Sequence, residues 1–181
     1  VPNQIIPDQK LIELLKANDE RAISLIFKEH YPFLCQVIIR VVKDPIVAED
    51  LAQDVFHDLW KRRENLEIST SIKAYLRRAG VNKTLNYIRD KKVKWDDEDK
   101  LPMVASNDTT AIQHLEGKEL EELINLTIDS LPDRCRLVFT LSRFEDLSYQ
   151  EIATSLDISV KTVENQMSKA LKVLRGALKG R

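Results

Sequence analysis

The sequence predicts an all-α protein made of two small helical domains joined by a flexible acidic linker. Three observations carry that prediction. The chain has 181 residues with only 4 Gly and 6 Pro, and few β-branched runs, which leaves little material for the strands and turns of a sheet. Apolar residues recur at three- and four-residue spacing through most of its length. Between 93 and 110 the periodicity stops in VKWDDEDKLPMVASNDTT, a polar, acidic stretch that reads as exposed linker. The expected domains are therefore 8–92 and 111–181, with 93–110 between them.

In the first domain, Val1 to Pro7 reads as a loose arm and Asp8 to Ala17 as a helix burying Leu11, Ile12, Leu14 and Leu15. Asn18-Asp19 can cap a second helix with Ala22, Ile23, Ile26, Phe27 and Tyr31 on its inner stripe. Pro32 should interrupt it, with Phe33 to Val42 continuing as a third helix. Asp44-Pro45 is a sharp start, Asp as cap and Pro in the first turn, for a helix to about Arg62. Its apolar stripe is Ala48, Leu51, Ala52, Val55, Phe56 and Leu59, and its opposite face carries Asp50, Gln53, Asp54, His57, Asp58 and Lys61. Such an acidic face is either solvated or a docking surface for basic residues. After a polar loop (RRENLEISTS, 62–71), Ile72 to about Lys92 forms a long helix with Ile72, Tyr75, Leu76, Ala79, Leu85 and Ile88 inward. Its outer side offers Lys73, Arg77, Arg78, Asn82, Lys83, Asn86, Tyr87, Arg89, Lys91 and Lys92. Cations interleaved with amides and a ring suit opened nucleic acid, where bases stack and cations follow the backbone. A plain charged helix face is the other reading.

In the second domain, a helix from Ala111 to Ser130 should bury Ile112, Leu115, Leu123, Ile124, Thr127 and Ile128. Another, begun by Leu131-Pro132-Asp133, runs to about Phe144 with Leu137, Val138 and Leu141 inside. Then comes DLSYQEIATSLDISVKTVENQMSKALKVLR, Asp146 to Arg175. Ser148 and Glu151 form a capping box for a short helix with Ile152, Ala153 and Leu156 as its stripe. Asp157 takes the turn, at a position where a left-handed backbone is tolerated, and Ser159 caps a second helix. Val160, Val163, Met167, Ala170, Leu171, Leu174 and Leu178 should face inward, with Lys161, Asn165, Ser168, Lys169 and Lys172 outward. Two helices, a tight turn and a polar, basic second helix make a helix-turn-helix, whose second helix reads the major groove. An ordinary amphipathic helix pair is the competing reading.

Composition excludes several classes. No apolar run approaches the ~20 residues that cross a bilayer, and no signal-peptide pattern opens the chain; a first residue other than Met points to processing. Cys35 and Cys135 lie far apart in apolar helical patterns, as buried free thiols of a reducing cytosol do. His30, His57 and His114 lack ligand spacing, so no metal site is expected. There is no glycine-rich phosphate loop and no nucleophile elbow, so neither cofactor nor catalysis is expected. The formal net charge is −1, which is low for a protein that holds DNA alone. Charge is segregated instead: basic residues collect at 73–94 and 161–181, acidic ones at 44–58 and 96–122.

The chain resembles, nearly end to end, the extracytoplasmic-function (ECF) sigma factors of the sigma-70 family. DPIVAEDLAQDVFHDLW followed by SIKAYLRRAGVNKTLNYIRDKK is similar to sigma domain two, and LPDRCRLVFTLSRFEDLSYQEIATSLDISVKTVENQMSKALKVLR to sigma domain four. The resemblance implies a cytoplasmic, non-enzymatic subunit that directs RNA polymerase core to promoters. It implies that Asp50, Gln53 and Asp54, with His57 and Asp58 on the same face, sit against the clamp coiled coil of the polymerase's largest subunit. It further implies that Asn65, Ser69, Ser71, Lys73, Arg78, Asn82, Lys83, Asn86, Tyr87 and Arg89 meet the −10 element. There a flipped base costs a few kcal/mol of lost stacking. Ser159, Lys161, Thr162, Asn165, Gln166, Ser168 and Lys169 would read the −35 element. The implied partners are the core, through clamp and flap, promoter DNA and an anti-sigma factor, with no small-molecule substrate. A stand-alone helix-turn-helix regulator of the LuxR type would explain only the second half. A polymerase adaptor that does not read DNA would leave the basic recognition helix unexplained.

Overall fold

A computed structural model of the chain describes residues 6–91 and 117–179. The expected linker at 93–110 and the start of the following helix, with Ile112 and Leu115, lie outside the described residues. Those residues form eight α-helices and no strand, in two compact units divided at Lys91 and Lys92.

The first unit holds α1 (Asp8–Lys16), α2 (Glu20–Val42), α3 (Pro45–Lys61), a 3-10 turn (Arg63–Asn65) and α4 (Ile72–Asp90). Helix α1 buries Leu11 and Leu15, while Ile12 and Leu14 are only partly covered. Asn18 has a φ of 64°, which turns the chain so that the Asp19 carboxylate can accept from the Arg21 amide at 2.9 Å and start α2. The expected break at Pro32 does not occur: α2 is one helix of 23 residues with Pro32 inside it. Proline gives no N–H to the preceding turn, at about 3 kcal/mol. The residue is exposed, however, and the turns on either side bury His30, Leu34, Val37 and Ile38. Burial of the apolar Leu34, Val37 and Ile38, at roughly 1.5–3 kcal/mol each, outweighs the defect. By length and composition α2 is also apolar enough to cross a membrane, more than its sequence suggested. Its stripe is instead packed in the core of this unit, on α3 and α4.

Lys43 ends α2 at a φ of 59°, and Asp44 then caps α3, accepting from the amides of Ile46 at 3.0 Å and Val47 at 3.2 Å. All six residues of the expected α3 stripe are buried. Helix α4 crosses α2 closely at Gly80, where a Cβ would stand 2.6 Å from Leu34 Cδ1. Only glycine allows this approach without displacing the fully buried Leu34. The buried face of α4 is accordingly Ile72, Leu76, Gly80, Val81, Thr84, Leu85 and Ile88, with Tyr75 and Ala79 at its edge.

The second unit holds α5 (Gly117–Asp129), α6 (Asp133–Arg143), α7 (Tyr149–Leu156) and α8 (Val160–Lys179). The capping box forms as expected: the Ser148 hydroxyl accepts from the Glu151 amide at 3.2 Å, and Glu151 accepts from the Ser148 amide at 2.9 Å. Asp157 takes the left-handed conformation, φ 56° and ψ 48°, between α7 and α8. Cys135, Val138, Leu141, Ile152, Ala153, Val163, Met167 and Ala170 form the core. Leu178, expected inside, is 38% exposed.

Candidate functional site

In the first unit the outward face of α3 presents Asp50, Gln53, Asp54 and His57, with Asp58 half-buried at the edge nearest α4. The exposure follows from the buried stripe, since residues three and four apart share a side of the helix. The face is tied to α2 through Phe56, whose ring packs on Phe27 and Tyr31. There Phe27 stacks on Tyr31 with centroids 4.5 Å apart and meets Phe56 edge-on at 4.9 Å. Phe27, expected in the inner stripe, is 39% exposed. The acidic face is thus bordered by an aromatic ridge that periodicity assigned to the core.

Lys83 joins the acidic face to the basic helix. Lys83 Nζ on α4 donates to Asp58 Oδ2 at 2.8 Å and lies 3.4 Å from Asp54 Oδ2. The hydrogen bond from Lys83 holds the Asp58 carboxyl below the usual carboxylate range, and Asp58 in turn raises the Lys83 ammonium. Lys83 therefore belongs as much to the α3 face as to the DNA-facing set in which its sequence position placed it. Beside it a cleft of about 330 Å³ is lined by Val55, Asp58, Arg62, Tyr75, Arg78, Ala79, Asn82, Lys83 and Asn86. Four expected −10 residues (Arg78, Asn82, Lys83 and Asn86) come together there. Arg62, the first residue of the 62–71 loop, also lines it, as does Tyr75, which helical periodicity places on the inward face of α4.

The remaining −10 candidates are spread over the loop and the flanks of α4. Asn65 and Ser69 are exposed. Ser71 is the cap of α4, its hydroxyl accepting from the Ala74 amide at 3.1 Å. Lys73 Nζ stands 4.6 Å above the Phe33 ring. Tyr87 is half-buried, and Lys91 Nζ stands 4.9 Å from its ring centroid. Arg89 lies 3.7 Å from Asp90.

In the second unit Ser159 accepts from the Thr162 amide at 3.0 Å and so opens α8. Lys161, Asn165 and Ser168 are exposed on that helix, with Thr162 and Lys169 half-buried. Lys161 pairs with Glu164 at 3.0 Å. Gln166 departs from the expected reading face: it is 2% exposed, and its Oε1 lies 3.0 Å from Cys135 Sγ as the acceptor. It sits between Val163 and Met167 on the flank of the apolar stripe, and α6 covers it.

A family model for sigma-70 region 2 matches residues 26–93, and one for sigma-70 region 4 matches residues 121–174. The RNA polymerase sigma-H factor of Pseudomonas aeruginosa is 28% identical, aligned over 94% of this chain and 93% of its own. The ECF RNA polymerase sigma-E factor of Escherichia coli is 24% identical, over 93% of each chain. Among solved structures, CnrH in complex with the cytosolic domain of CnrY is 22% identical with a TM-score of 0.48, over 95% of this chain and 97% of that one. The sigma factor RpoE of Bartonella quintana, in complex with the anti-sigma factor NepR, is 20% identical with a TM-score of 0.44, over 84% and 94%. Regions 2 and 4 fall in that order on the two helical units and the curated relatives align along almost the whole chain, so this chain belongs to the sigma-70 family as a sigma factor of the ECF type.

Proposed function

We propose a division of labour in which each unit of this sigma factor carries one promoter-reading surface and the first also carries a polymerase dock. The factor directs transcription initiation with RNA polymerase core. Residues 8–92 act as sigma domain two and residues 111–181 as sigma domain four, with 93–110 as the tether. Asp50, Gln53, Asp54, His57 and Asp58 meet the clamp coiled coil, where an exposed acidic face fits a basic partner. The observation that carries this reading is the junction of that face with the cleft at α4. Polymerase contact and strand contact then fall on two sides of the same pair of helices.

Arg62, Arg78, Asn82 and Asn86 around the cleft, with Asn65 and Ser69 from the loop, supply cations and amides for an opened −10 strand. Tyr75 and Tyr87 supply rings. On α8, Lys161, Asn165, Ser168 and Lys169 reach the −35 element in the major groove, where amides read base edges and cations neutralise phosphates; Gln166 is not among them. None of these groups is assigned a bond-making step, and the factor acts by binding. An anti-sigma factor that covers these surfaces would hold it inactive.

Run-off transcription with bacterial core polymerase and a library of promoter fragments tests the reading. Initiation at defined start sites is expected only with the factor present, and is expected to fall when Gln53→Ala and Asp54→Ala are combined. No stimulation by the wild type, together with tight duplex binding by the protein alone, would overturn it.

A further inference from the structure

The segment between α3 and α4 is held at both ends by the N-terminal helix and the turn that follows it. At its start Arg63 Nε donates to Asn18 Oδ1 at 2.7 Å, across 45 residues of sequence. The same guanidinium donates to the Trp60 carbonyl at 2.8 Å and lies 4.2 Å above the Trp60 ring. Asn18 is aimed there by its left-handed backbone, φ 64°, a conformation that asparagine tolerates better than most side chains. At the far end the Ile72 amide, in the first turn of α4, donates to Asp8 Oδ2 at 2.7 Å across 64 residues. Between the two ties Leu66 is 4% exposed and packs in the core that also holds Leu11 and Leu15 of α1. With both ends tied and the middle buried, Asn65, Glu67, Ser69 and Thr70 are left facing outward.

We infer that Asn18 and Asp8 are positioning residues for promoter reading, which fix the register of the 62–71 segment and so decide which of its side chains meets the opened strand. The inference rests on the proposed contact between this segment and the −10 element. Both residues precede the region 2 match, which begins at residue 26, and neither belongs to the surfaces assigned above. The physical reason is preorganisation. A segment fixed before binding loses little conformational entropy on contact, and it discriminates because a wrong base cannot be met by readjustment.

The test uses the full chain with bacterial core polymerase and the promoter fragment that the wild-type holoenzyme selects from a library randomised at −10, together with its single-base −10 substitutions. Asn18→Gly keeps the left-handed backbone and removes the acceptor, whereas Asn18→Asp keeps both; Asp8→Ala removes the other acceptor and Asp8→Asn keeps an oxygen there. Discrimination per base, roughly ten- to a hundredfold for a well-placed reader, is expected to fall toward about twofold in Asn18→Gly and Asp8→Ala. Asn18→Asp and Asp8→Asn should restore it, and affinity for core should not change in any variant. Amide hydrogen exchange in the free protein should rise over 64–71 in the two deficient variants and stay unchanged in α3. Variants that lose thermal stability yet keep full discrimination, or show unchanged exchange over 64–71, would overturn the inference and leave these contacts purely structural. A wild type that initiates nowhere would instead sink the sigma reading itself, and the positioning role with it.

Discussion

Lys83→Met removes the ion pair that ties α4 to the acidic edge of α3. The wild-type ammonium sits 2.8 Å from Asp58 and 3.4 Å from Asp54, with side-chain exposures of 29%, 41% and 61%. Such pairs are screened, and the gross Coulomb attraction is largely cancelled by desolvation and side-chain entropy, so a net of about 0.5–1 kcal/mol is the reasonable figure. In a unit of this size that corresponds to roughly 2–8 °C in Tm. The assay is urea unfolding in a Trp95→Phe background, which leaves Trp60, at the end of α3, as the sole tryptophan and reports on the first unit. The sign with pH follows from the two shifts. Asp58 is lowered from 3.8, so its share is full above that value and is lost as pH falls through the folded one. Lys83 is raised from 10.5, so its share is full below that value and is lost as pH rises through the folded one. The difference between wild type and Lys83→Met should be flat across neutral pH and vanish at both extremes. A coupling energy below about 0.3 kcal/mol in a double-mutant cycle with Asp58→Asn, or a difference that grows as pH falls through the carboxylate range, would refute the reasoning.

Two further changes probe the second unit. Ser148→Ala removes the hydroxyl half of the α7 capping box, while the backbone amide of residue 148 can still donate to Glu151, and should cost about 1 kcal/mol in chemical denaturation of that unit; an unchanged midpoint would mean that solvent replaces the cap. Gln166→Met exchanges a buried amide for a thioether of similar length, so stability should change by less than about 1.5 kcal/mol. The same variant should leave −35 affinity in the holoenzyme unchanged, while Asn165→Ala should weaken it by about 1–3 kcal/mol. Loss of −35 affinity in Gln166→Met would return Gln166 to the reading face.

What the sequence disclosed was local. Asp44-Pro45, the Ser148 and Glu151 pair and the turn at Asp157 could be read because each satisfies backbone groups within three or four residues, and all three take the expected form. The α3 stripe was legible for a similar reason, as its period of 3.6 runs through an uninterrupted helix. The misreadings arose where distant residues decide. Pro32 signals a break within its own turn, and only the burial of its neighbours against α3 and α4 overrides it. Gln166 looks outward beside Asn165, and its partner Cys135 lies 31 residues away on α6. Lys83 belongs by position to the basic helix, yet its carboxylate partners come from α3, 25 residues away in the case of Asp58. The ties of Asn18 and Asp8 to the 62–71 segment are longer still and have no periodic signature.

These long-range pairings also bear on the net charge of −1. Cations that a composition count would assign to DNA are partly neutralised within the protein: Lys83 by Asp58 and Asp54, and Lys161 by Glu164. Each cation so engaged is one fewer available to displace counterions from phosphates, and non-specific DNA affinity comes mainly from that displacement. On the proposed reading, weakened surfaces should not trap the factor on bulk DNA, and promoter affinity is expected when the polymerase lets both surfaces engage at once, because the second contact is then made at a high effective concentration. The α3 acids gain by the same arrangement. With Lys83 on its α4 edge, within 3.4 Å of Asp54 and 2.8 Å of Asp58, the mutual repulsion of the two carboxylates is offset within the protein. On this account near-neutrality follows from dividing recognition between two tethered surfaces, each too weak to act alone.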